Sequence, residues 1–340
     1  MPVRFFKYEH PFTLECGQRL PSLTIAYHTF GQWRGDNAVW VCHALTANSD
    51  VADWWPHTVE KDRFLDPEKY FTVCANVIGS HYGSTGPLSI NPETGEPYYG
   101  DFPFVTMRDM ARVNLLLAGH LGIRRVRALV GSSIGGFQAL EMALLNADFA
   151  ERLILIATAA CSRPWAVAIN ESQRMALRAD SSFGRRSADA GRAGLGVARS
   201  IGLLSYRGSL AYNATQQDPC DDLKRDGYRA ATYQRHQGEK LCSRFDAYSY
   251  WTISEAFNTH DVGRGRGGMQ AALGTICVPT LVVGITSDIV LPVTEQIFLY
   301  RHIPCSKLHL LSSDFGHDGF LVEADSLNDI LKPFIEKTLE

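Results

Sequence analysis

The stretch that decides the fold of this chain is Val130-Gly131-Ser132-Ser133-Ile134-Gly135-Gly136. It matches the pattern G-x-S-x-G with Ser133 at its centre. Residues 126–130 are apolar apart from one arginine, and residues 137–145 are mostly strong helix formers. A strand, a sharp turn and a helix are the setting in which this pattern forms a nucleophile elbow. The sequence therefore predicts Ser133 as a nucleophile, against the alternative of a Gly/Ser-rich loop without chemistry.

A serine nucleophile needs a base and an acid, and in this arrangement they follow later in the chain in the order Ser, Asp, His. Asp288 comes just after a predicted buried strand at residues 280–285, and His317 lies in a predicted loop after the next strand. We expect His317 to act as general base and Asp288 to hold its imidazole. The alternative for Asp288 is a turn or helix-capping residue. The alternative for His317 is a surface histidine without a catalytic role, since the chain has eleven histidines.

The oxyanion of an acyl-transfer reaction needs two backbone donors. One is predicted to be the N–H of Ile134, directly after the nucleophile. The other is predicted to be the N–H of Leu45, in the loop after an early strand at residues 38–42, with support from the Thr46 hydroxyl. The alternative for this loop is an ordinary strand-to-loop junction.

Composition limits the class of protein. The chain has 340 residues, 45% of them hydrophobic, and a net charge of −3 with a pI of about 6.4, so no nucleic-acid or anionic-membrane partner is expected. Eight cysteines include no C-x-x-C pair, which favours reduced thiols and no metal site. No signal peptide and no membrane-spanning run is expected, and the predicted location is the cytoplasm.

The pattern of elements divides the chain. Residues 1–160 and 271–340 alternate strands and helices, which predicts an α/β core with a mostly parallel central sheet flanked by helices. Residues 161–270 lose the strand signals and show helical periods, with 16 Lys and Arg against 11 Asp and Glu. This stretch is predicted to be an all-helical lid inserted into the core.

Together these residues resemble the homoserine O-acetyltransferase family of α/β-hydrolase-fold acyltransferases. The resemblance spans nearly the whole chain in order. Besides the elbow, its matching segments are His43-Ala44-Leu45-Thr46, Asn76-Val77-Ile78-Gly79, Tyr82-Gly83-Ser84-Thr85-Gly86-Pro87, Arg108-Asp109-Met110, Gln138-Ala139-Leu140-Glu141, Ala198-Arg199 to Tyr206-Arg207, His260-Asp261-Val262-Gly263-Arg264-Gly265, Ser287-Asp288 and Gly316-His317-Asp318-Gly319-Phe320-Leu321-Val322-Glu323.

The resemblance implies an enzyme of methionine biosynthesis that moves an acetyl group from acetyl-CoA, as co-substrate, to the hydroxyl of L-homoserine. It also implies a homodimer built through the lid helices. A serine nucleophile in such a reaction predicts an acetyl-serine intermediate and ping-pong kinetics. No cofactor is expected, and no metal, because no metal-ligand spacing is present. The resemblance also implies that Arg199 binds the homoserine carboxylate, that Asp318 binds its ammonium group, and that Tyr206 lines the pocket. A helix through Arg199 that continues past Gly202 would place Tyr206 on the same face.

Two departures from the family pattern concern the acyl pocket. The loop 47–50 reads Ala-Asn-Ser-Asp where many relatives have a Gly-Asp pair, and His81 stands where a small residue or cysteine is usual. The alternatives therefore include a succinyl donor and a serine acceptor on the same scaffold. An esterase and a non-catalytic binding protein of the same fold are the remaining alternatives.

Overall fold

The computed structural model describes residues 2–219 and 223–337, and its centre is an eight-stranded sheet. The described residues form ten strands: β1 Arg4–Tyr8, β2 Phe12–Thr13, β3 Arg19–Leu20, β4 Leu23–Phe30, β5 Ala38–Cys42, β6 Phe71–Ala75, β7 Ala128–Ser132, β8 Leu153–Ile156, β9 Thr280–Ile285 and β10 Ser306–Leu311. The sheet runs in the order β1-β4-β6-β5-β7-β8-β9-β10, and β2 pairs with β3 outside it. Only the β1/β4 and β4/β6 pairs of the sheet are antiparallel.

The middle of the sheet is buried on both faces. Every residue of β5, β7, β8 and β9 is buried. Trp40 and Leu129 belong to one apolar cluster, while their neighbours Val39 and Val130 belong to the other. Because successive side chains of a strand point to opposite faces, both faces need apolar residues, and these strands read as continuous hydrophobic runs.

Twelve helices surround this sheet in the described part of the chain. They are α1 Val51–Trp54, α2 Met107–His120, α3 Ile134–Leu145, α4 Pro164–Ala179, α5 Arg192–Tyr206, α6 Ser209–Gln216, α7 Arg229–Cys242, α8 Ala247–Asn258, α9 Met269–Leu273, α10 Val293–His302, α11 Gly319–Val322 and α12 Ala324–Glu336. None of them, over residues 2–219 and 223–337, has the length and apolarity of a membrane span.

Between β8 and β9 the described residues form helices α4 to α9, with one isolated β-bridge between Cys161 and Asp261. Helix α5 packs against both α4 and α7. The helical character expected for residues 161–270 therefore holds in their described part. The division into a core of 1–160 and 271–340 and a separate lid stays a prediction.

The strand before the elbow differs from its predicted position. It spans Ala128–Ser132, two residues later than the predicted 126–130. Gly131 and Ser132 continue the ladder because they pair with β5 and β8. Helix α3 then begins at Ile134, three residues before the helix formers that signalled it, so that only Ser133 separates strand from helix.

Candidate active site

Ser133 lies at a tight elbow between β7 and α3. Its backbone has φ 54° and ψ −125°, a region that residues other than glycine rarely adopt. A Cβ atom on Gly131 would lie 2.2 Å from the Gly135 carbonyl oxygen, and one on Gly135 would lie 2.0 Å from the Cys42 carbonyl oxygen. Only glycine at both positions permits these backbone contacts, which explains the pattern around Ser133.

Ser133 is the first member of a hydrogen-bonded chain of three side chains. The Ser133 hydroxyl and His317 Nε2 are 2.8 Å apart, and His317 Nδ1 lies 2.6 Å from Asp288 Oδ2. With a neutral imidazole, Ser133 donates to Nε2, and the Nδ1–H donates to the carboxylate. The structure therefore brings together the three predicted catalytic residues. Their roles remain a prediction from this geometry.

The edge of the sheet positions the two partners of Ser133. Asp288 follows β9, and its second oxygen accepts hydrogen bonds from the backbone N–H groups of Val290 and Leu291, at 2.8 Å and 3.1 Å. One carboxylate oxygen of Asp288 thus stabilises the turn, while the other contacts His317 as the predicted catalytic role requires. His317 lies in a 3₁₀ turn, Gly316–Asp318, and the predicted loop at this residue is wrong. The turn is held because Ser287 Oγ accepts the Gly316 N–H at 2.9 Å.

The pKa of His317 reflects opposing influences. Burial lowers it, while the charge of Asp288, the hydrogen bond that His317 donates to that carboxylate and the charge of Asp318 raise it. The net pKa lies above the ordinary value of histidine. A raised pKa makes the imidazole a better proton acceptor, which suits the predicted role of His317 as general base.

The predicted oxyanion donors face the same cavity as the nucleophile. Leu45 and Ile134 line this cavity with Ser133. Among the hydrogen bonds of residues 2–219 and 223–337, neither the Leu45 N–H nor the Ile134 N–H donates to a protein group. Both donors are thus available to a bound oxygen. Thr46 also lines the cavity, and its carbonyl oxygen accepts from Arg244 Nη1 at 2.6 Å; a role for its hydroxyl stays a prediction.

The cavity measures about 410 Å³ and lies between the sheet edge and the helices inserted after β8. Helix α5 does continue past Gly202 as far as Tyr206, and the Arg199 guanidinium carbon lies 5.7 Å from the centre of the Tyr206 ring. The Tyr206 ring lies 6.1 Å from the His317 ring. Arg199, Tyr206 and Asp318 all line the cavity, so each predicted acceptor-binding residue is near the chemistry.

Arg207 is one of the residues near the cavity to which sequence reasoning gave no role. Its Nε lies 3.0 Å from Asp318 Oδ2, as a charge pair outside hydrogen-bond alignment. Burial raises the pKa of Asp318, and Arg207 and Arg199 oppose that rise, yet the net pKa stays above its ordinary value. Arg207 belongs to the segment that carries the family resemblance, directly after Tyr206, and that adjacency was the only available signal.

The two departures from the family pattern differ in position. Ala47 and Asn48 line the cavity, so the altered loop forms part of its wall. His81 is not among the described residues that line it; its Nδ1 lies 2.9 Å from Asp246 Oδ2, and Asp246 caps α8. His81 therefore ties a core loop to helix α8. Lys240 and Arg244 add positive charge to the cavity wall, and no residue pattern had singled them out.

Comparison with known proteins places this site in a family. The family model described as alpha/beta hydrolase fold matches residues 37–324. The homoserine O-acetyltransferase of Cyclobacterium marinum is 41% identical to this chain over 98% of it and 95% of the relative. That of Chlorobaculum parvum is 40% identical over 95% of this chain and 92% of the relative.

Solved structures agree in fold. The homoserine O-acetyltransferase of Bacillus anthracis superposes with a TM-score of 0.91 at 22% identity, over 100% of this chain and 99% of that one. The homoserine O-acetyltransferase of Staphylococcus aureus superposes with a TM-score of 0.82 at 28% identity, over 99% of this chain and 96% of that one. Esterase E22 superposes with a TM-score of 0.89 at 22% identity, over 98% of this chain and 100% of that one. The fold alone therefore does not separate transferases from esterases. On the full-length identity to its curated relatives, this chain belongs to the homoserine O-acetyltransferase family of the α/β-hydrolase fold.

Proposed function

We propose that this protein is a homoserine O-acetyltransferase that moves an acetyl group from acetyl-CoA to the hydroxyl of L-homoserine through an acetyl-Ser133 intermediate. The observation that carries the proposal is the chain Ser133–His317–Asp288 at the floor of a cavity that also holds Arg199 and Asp318. The first three groups suit acyl transfer, and the last two suit an acceptor with a carboxylate and an ammonium group. The names of its relatives support the same acceptor.

In the first half-reaction, Ser133 Oγ attacks the thioester carbonyl while His317 Nε2 takes the hydroxyl proton. The Leu45 and Ile134 N–H groups donate to the oxygen as it becomes negative. The C–S bond then breaks, and the sulfur leaves as CoA with the proton from His317. Asp288 stabilises the imidazolium and keeps the Nδ1–H in place throughout.

In the second half-reaction, His317 takes the proton of the homoserine hydroxyl, whose oxygen attacks acetyl-Ser133. The ester bond to Ser133 breaks, and His317 returns the proton to its oxygen. The acceptor is held by Arg199 at its carboxylate and by Asp318 at its ammonium group. This positioning favours the hydroxyl over water, because a fixed neighbour reacts at a far higher effective concentration.

We also propose a location and an assembly for this enzyme. The reaction steps use only side chains, backbone donors and the CoA thioester, so no resident cofactor or metal is proposed. Acetyl-CoA is consumed inside cells, and the proposed location is the cytoplasm. The helices after β8 expose large apolar side chains, which supports a homodimer through these helices: Trp165 56%, Met175 61%, Val197 53%, Leu204 60% and Leu210 67%.

The test is a panel of two donors against three acceptors. Free thiol is measured as acetyl-CoA or succinyl-CoA reacts with L-homoserine, L-serine or water. The proposal expects thiol release to be fastest with acetyl-CoA and homoserine, and absent in Ser133→Ala. Faster reaction with succinyl-CoA or serine would make the enzyme a different acyltransferase. Equal release without an acceptor would make it an esterase, and no release would favour a binding protein.

A further inference from the structure

His43 is a buried histidine that takes no direct part in the proposed chemistry. It follows β5 and is fully buried. Its Nδ1 lies 2.8 Å from the Ala44 carbonyl oxygen, and its Nε2 lies 3.2 Å from the Val77 backbone nitrogen. A carbonyl oxygen only accepts, and a backbone N–H only donates. Nδ1 therefore carries the proton, and Nε2 is the acceptor.

The bond to Ala44 fixes the direction of the next N–H group. The Ala44 carbonyl and the Leu45 N–H belong to one trans peptide unit, so they point in opposite directions. The Ala44 oxygen is held from two sides, by His43 Nδ1 and by the Ala47 N–H at 3.1 Å. With the oxygen fixed toward the His43 ring, the Leu45 N–H points away from that ring.

We propose that His43 is a positioning residue that aims the Leu45 N–H at the oxyanion through its own bond to the Ala44 carbonyl. The inference rests on the proposed function, since it requires an oxyanion at Ser133. An unrestrained peptide unit between Ala44 and Leu45 would have to be oriented during the reaction, which raises the activation free energy. A peptide unit that is already fixed adds no such contribution. The Leu45 N–H is also free of protein partners among the described residues, as an oxyanion donor must be.

Burial keeps the ring in the state that this role needs. It lowers the pKa of His43 to about 4, so the imidazole is neutral at neutral pH. A proton on Nε2 would face the Val77 N–H, donor against donor. The neutral ring with its proton on Nδ1 is therefore the form that satisfies both Ala44 and Val77.

The same region couples the two oxyanion donors. Gln138 on α3 donates from Nε2 to the His43 carbonyl oxygen at 3.4 Å. A Cβ atom on Gly135 would lie 3.1 Å from that oxygen. The start of α3, which carries the Ile134 N–H, thus contacts the backbone that carries His43. A fixed His43 backbone helps to set the spacing of both donors.

The two bonds of the ring can be separated by substitution. In His43→Asn the amide nitrogen takes the place of Nδ1 and can still donate to the Ala44 carbonyl, while the bond to Val77 is lost. In His43→Gln the amide oxygen takes the place of Nε2 and can still accept from Val77, while the bond to Ala44 is lost. Each variant removes one hydrogen bond and part of the ring, so the pair separates the bond to Ala44 from the bond to Val77.

The experiment is single-turnover acetylation of Ser133 by acetyl-CoA without acceptor, followed by CoA release and by the mass of the Ser133 peptide. His43→Gln keeps the Leu45 N–H but removes its restraint, so acetylation is expected to slow by more than about tenfold, up to the roughly 10²–10³-fold effect of removing one oxyanion donor, with little change in the donor KM. His43→Asn is expected to acetylate Ser133 within about tenfold of the wild-type rate, because it keeps the hydrogen bond to the Ala44 carbonyl. The two variants are expected to have similar unfolding midpoints, because each loses one hydrogen bond of the ring. Equal slowing of the two variants, or none in His43→Gln, would overturn the inference.

Two further readouts keep the outcome clear. In the ¹⁵N NMR spectrum of the wild-type protein with labelled histidine, His43 is expected to show a protonated Nδ1 and a bare Nε2. The opposite tautomer would overturn the inference even if both variants failed to fold. A wild-type protein that forms no acetyl-Ser133 would overturn the proposed function and this inference with it. An acetylated wild type with an equally fast His43→Gln would overturn this inference alone.

Discussion

Arg207 Nε lies 3.0 Å from Asp318 Oδ2, so the residue after helix α5 pairs with the residue after His317. The backbones meet here as well, since a Cβ atom on Gly316 would lie 2.6 Å from the Gly208 nitrogen. The helices inserted after β8 and the turn that carries His317 are therefore joined by a charge pair and by direct backbone contact.

This pair predicts how Arg207 affects the acceptor. Burial raises the pKa of Asp318, and Arg207 opposes that rise. Without the guanidinium, more of Asp318 is protonated at neutral pH, and a neutral carboxyl binds an ammonium group poorly. Arg207→Gln should therefore raise the homoserine KM, and the loss should shrink as pH rises and Asp318 ionises.

The matched variant is Arg207→Lys, which keeps the positive charge. It should lose less of the kcat/KM for homoserine than Arg207→Gln does at each pH. The measurement is kcat/KM for homoserine between about pH 7 and 8.5, a range in which a free Asp with pKa about 3.9 would not titrate. A defect of Arg207→Gln that is independent of pH would contradict control through the charge of Asp318.

Arg199 and Asp318 are the proposed binding residues of the acceptor, so their loss should affect transfer to homoserine more than acetylation of Ser133. Arg199→Ala and Asp318→Ala each remove one charge-assisted contact, worth roughly 1.5 to 3 kcal/mol. That corresponds to about a tenfold to over a hundredfold loss in kcat/KM for homoserine. Acetylation of Ser133 by acetyl-CoA should change much less, and hydrolysis of the intermediate should gain relative to transfer.

The control for this difference between the half-reactions is Arg235→Ala, which removes an exposed arginine of α7 that pairs with Asp226. It should leave both half-reactions near wild type. If Arg199→Ala and Asp318→Ala slow acetylation as strongly as transfer, these residues act on the whole site and not on the acceptor.

The sequence predicted the elbow and the contact of Ser133, His317 and Asp288, because buried strands and glycine turns are local signals. It placed β7 two residues early, since Gly131 and Ser132 have low strand propensity and are extended only through pairing with β5 and β8. The Arg207–Asp318 pair joins residues 111 positions apart along the sequence. No local pattern signals such a contact, and only the folded chain shows it.

The nucleophile assignment predicts where the acetyl group is found. After brief mixing with acetyl-CoA without acceptor, the added mass should lie on a peptide that contains Ser133, and Ser133→Ala should remove it. Ser132→Ala is the neighbouring control, because the buried Ser132 hydroxyl has no hydrogen-bond partner among the described residues. It should retain acetylation. An acetyl group that persists in Ser133→Ala would refute the assignment.

The electrostatics of His317 predict a pH profile. The imidazole must be neutral to accept the Ser133 proton, and its pKa lies above the ordinary value because Asp288 and Asp318 outweigh burial. The acetylation rate should therefore fall as pH drops, with a midpoint above about 6.5. Asp318→Asn removes one of the raising charges and should move the midpoint to lower pH. A midpoint that does not move would show that Asp318 does not act on His317.

The elbow also predicts that alanine has opposite effects on stability at two helical glycines, Gly135 on α3 and Gly196 on α5. In Gly135→Ala the new methyl group would lie 2.0 Å from the Cys42 carbonyl oxygen, a backbone atom at the end of a buried strand that cannot move aside cheaply. We expect a loss of stability of at least about 1–3 kcal/mol, the usual cost of overpacking, together with a loss of acetylation because β5 and α3 separate at the oxyanion donors. Gly196→Ala on α5 is the matched control.

In Gly196→Ala the added Cβ would lie 3.7 Å from Cys242 Sγ, an ordinary contact distance. Replacing a helical glycine by alanine without a clash stabilises a protein by roughly 0.5–1 kcal/mol, since alanine has less backbone freedom to lose. Urea unfolding of both variants should therefore give opposite signs, with only Gly135→Ala losing activity. A tolerated Gly135→Ala with normal acetylation would show that the contact between Gly135 and Cys42 does not set the distance between the strand and the elbow.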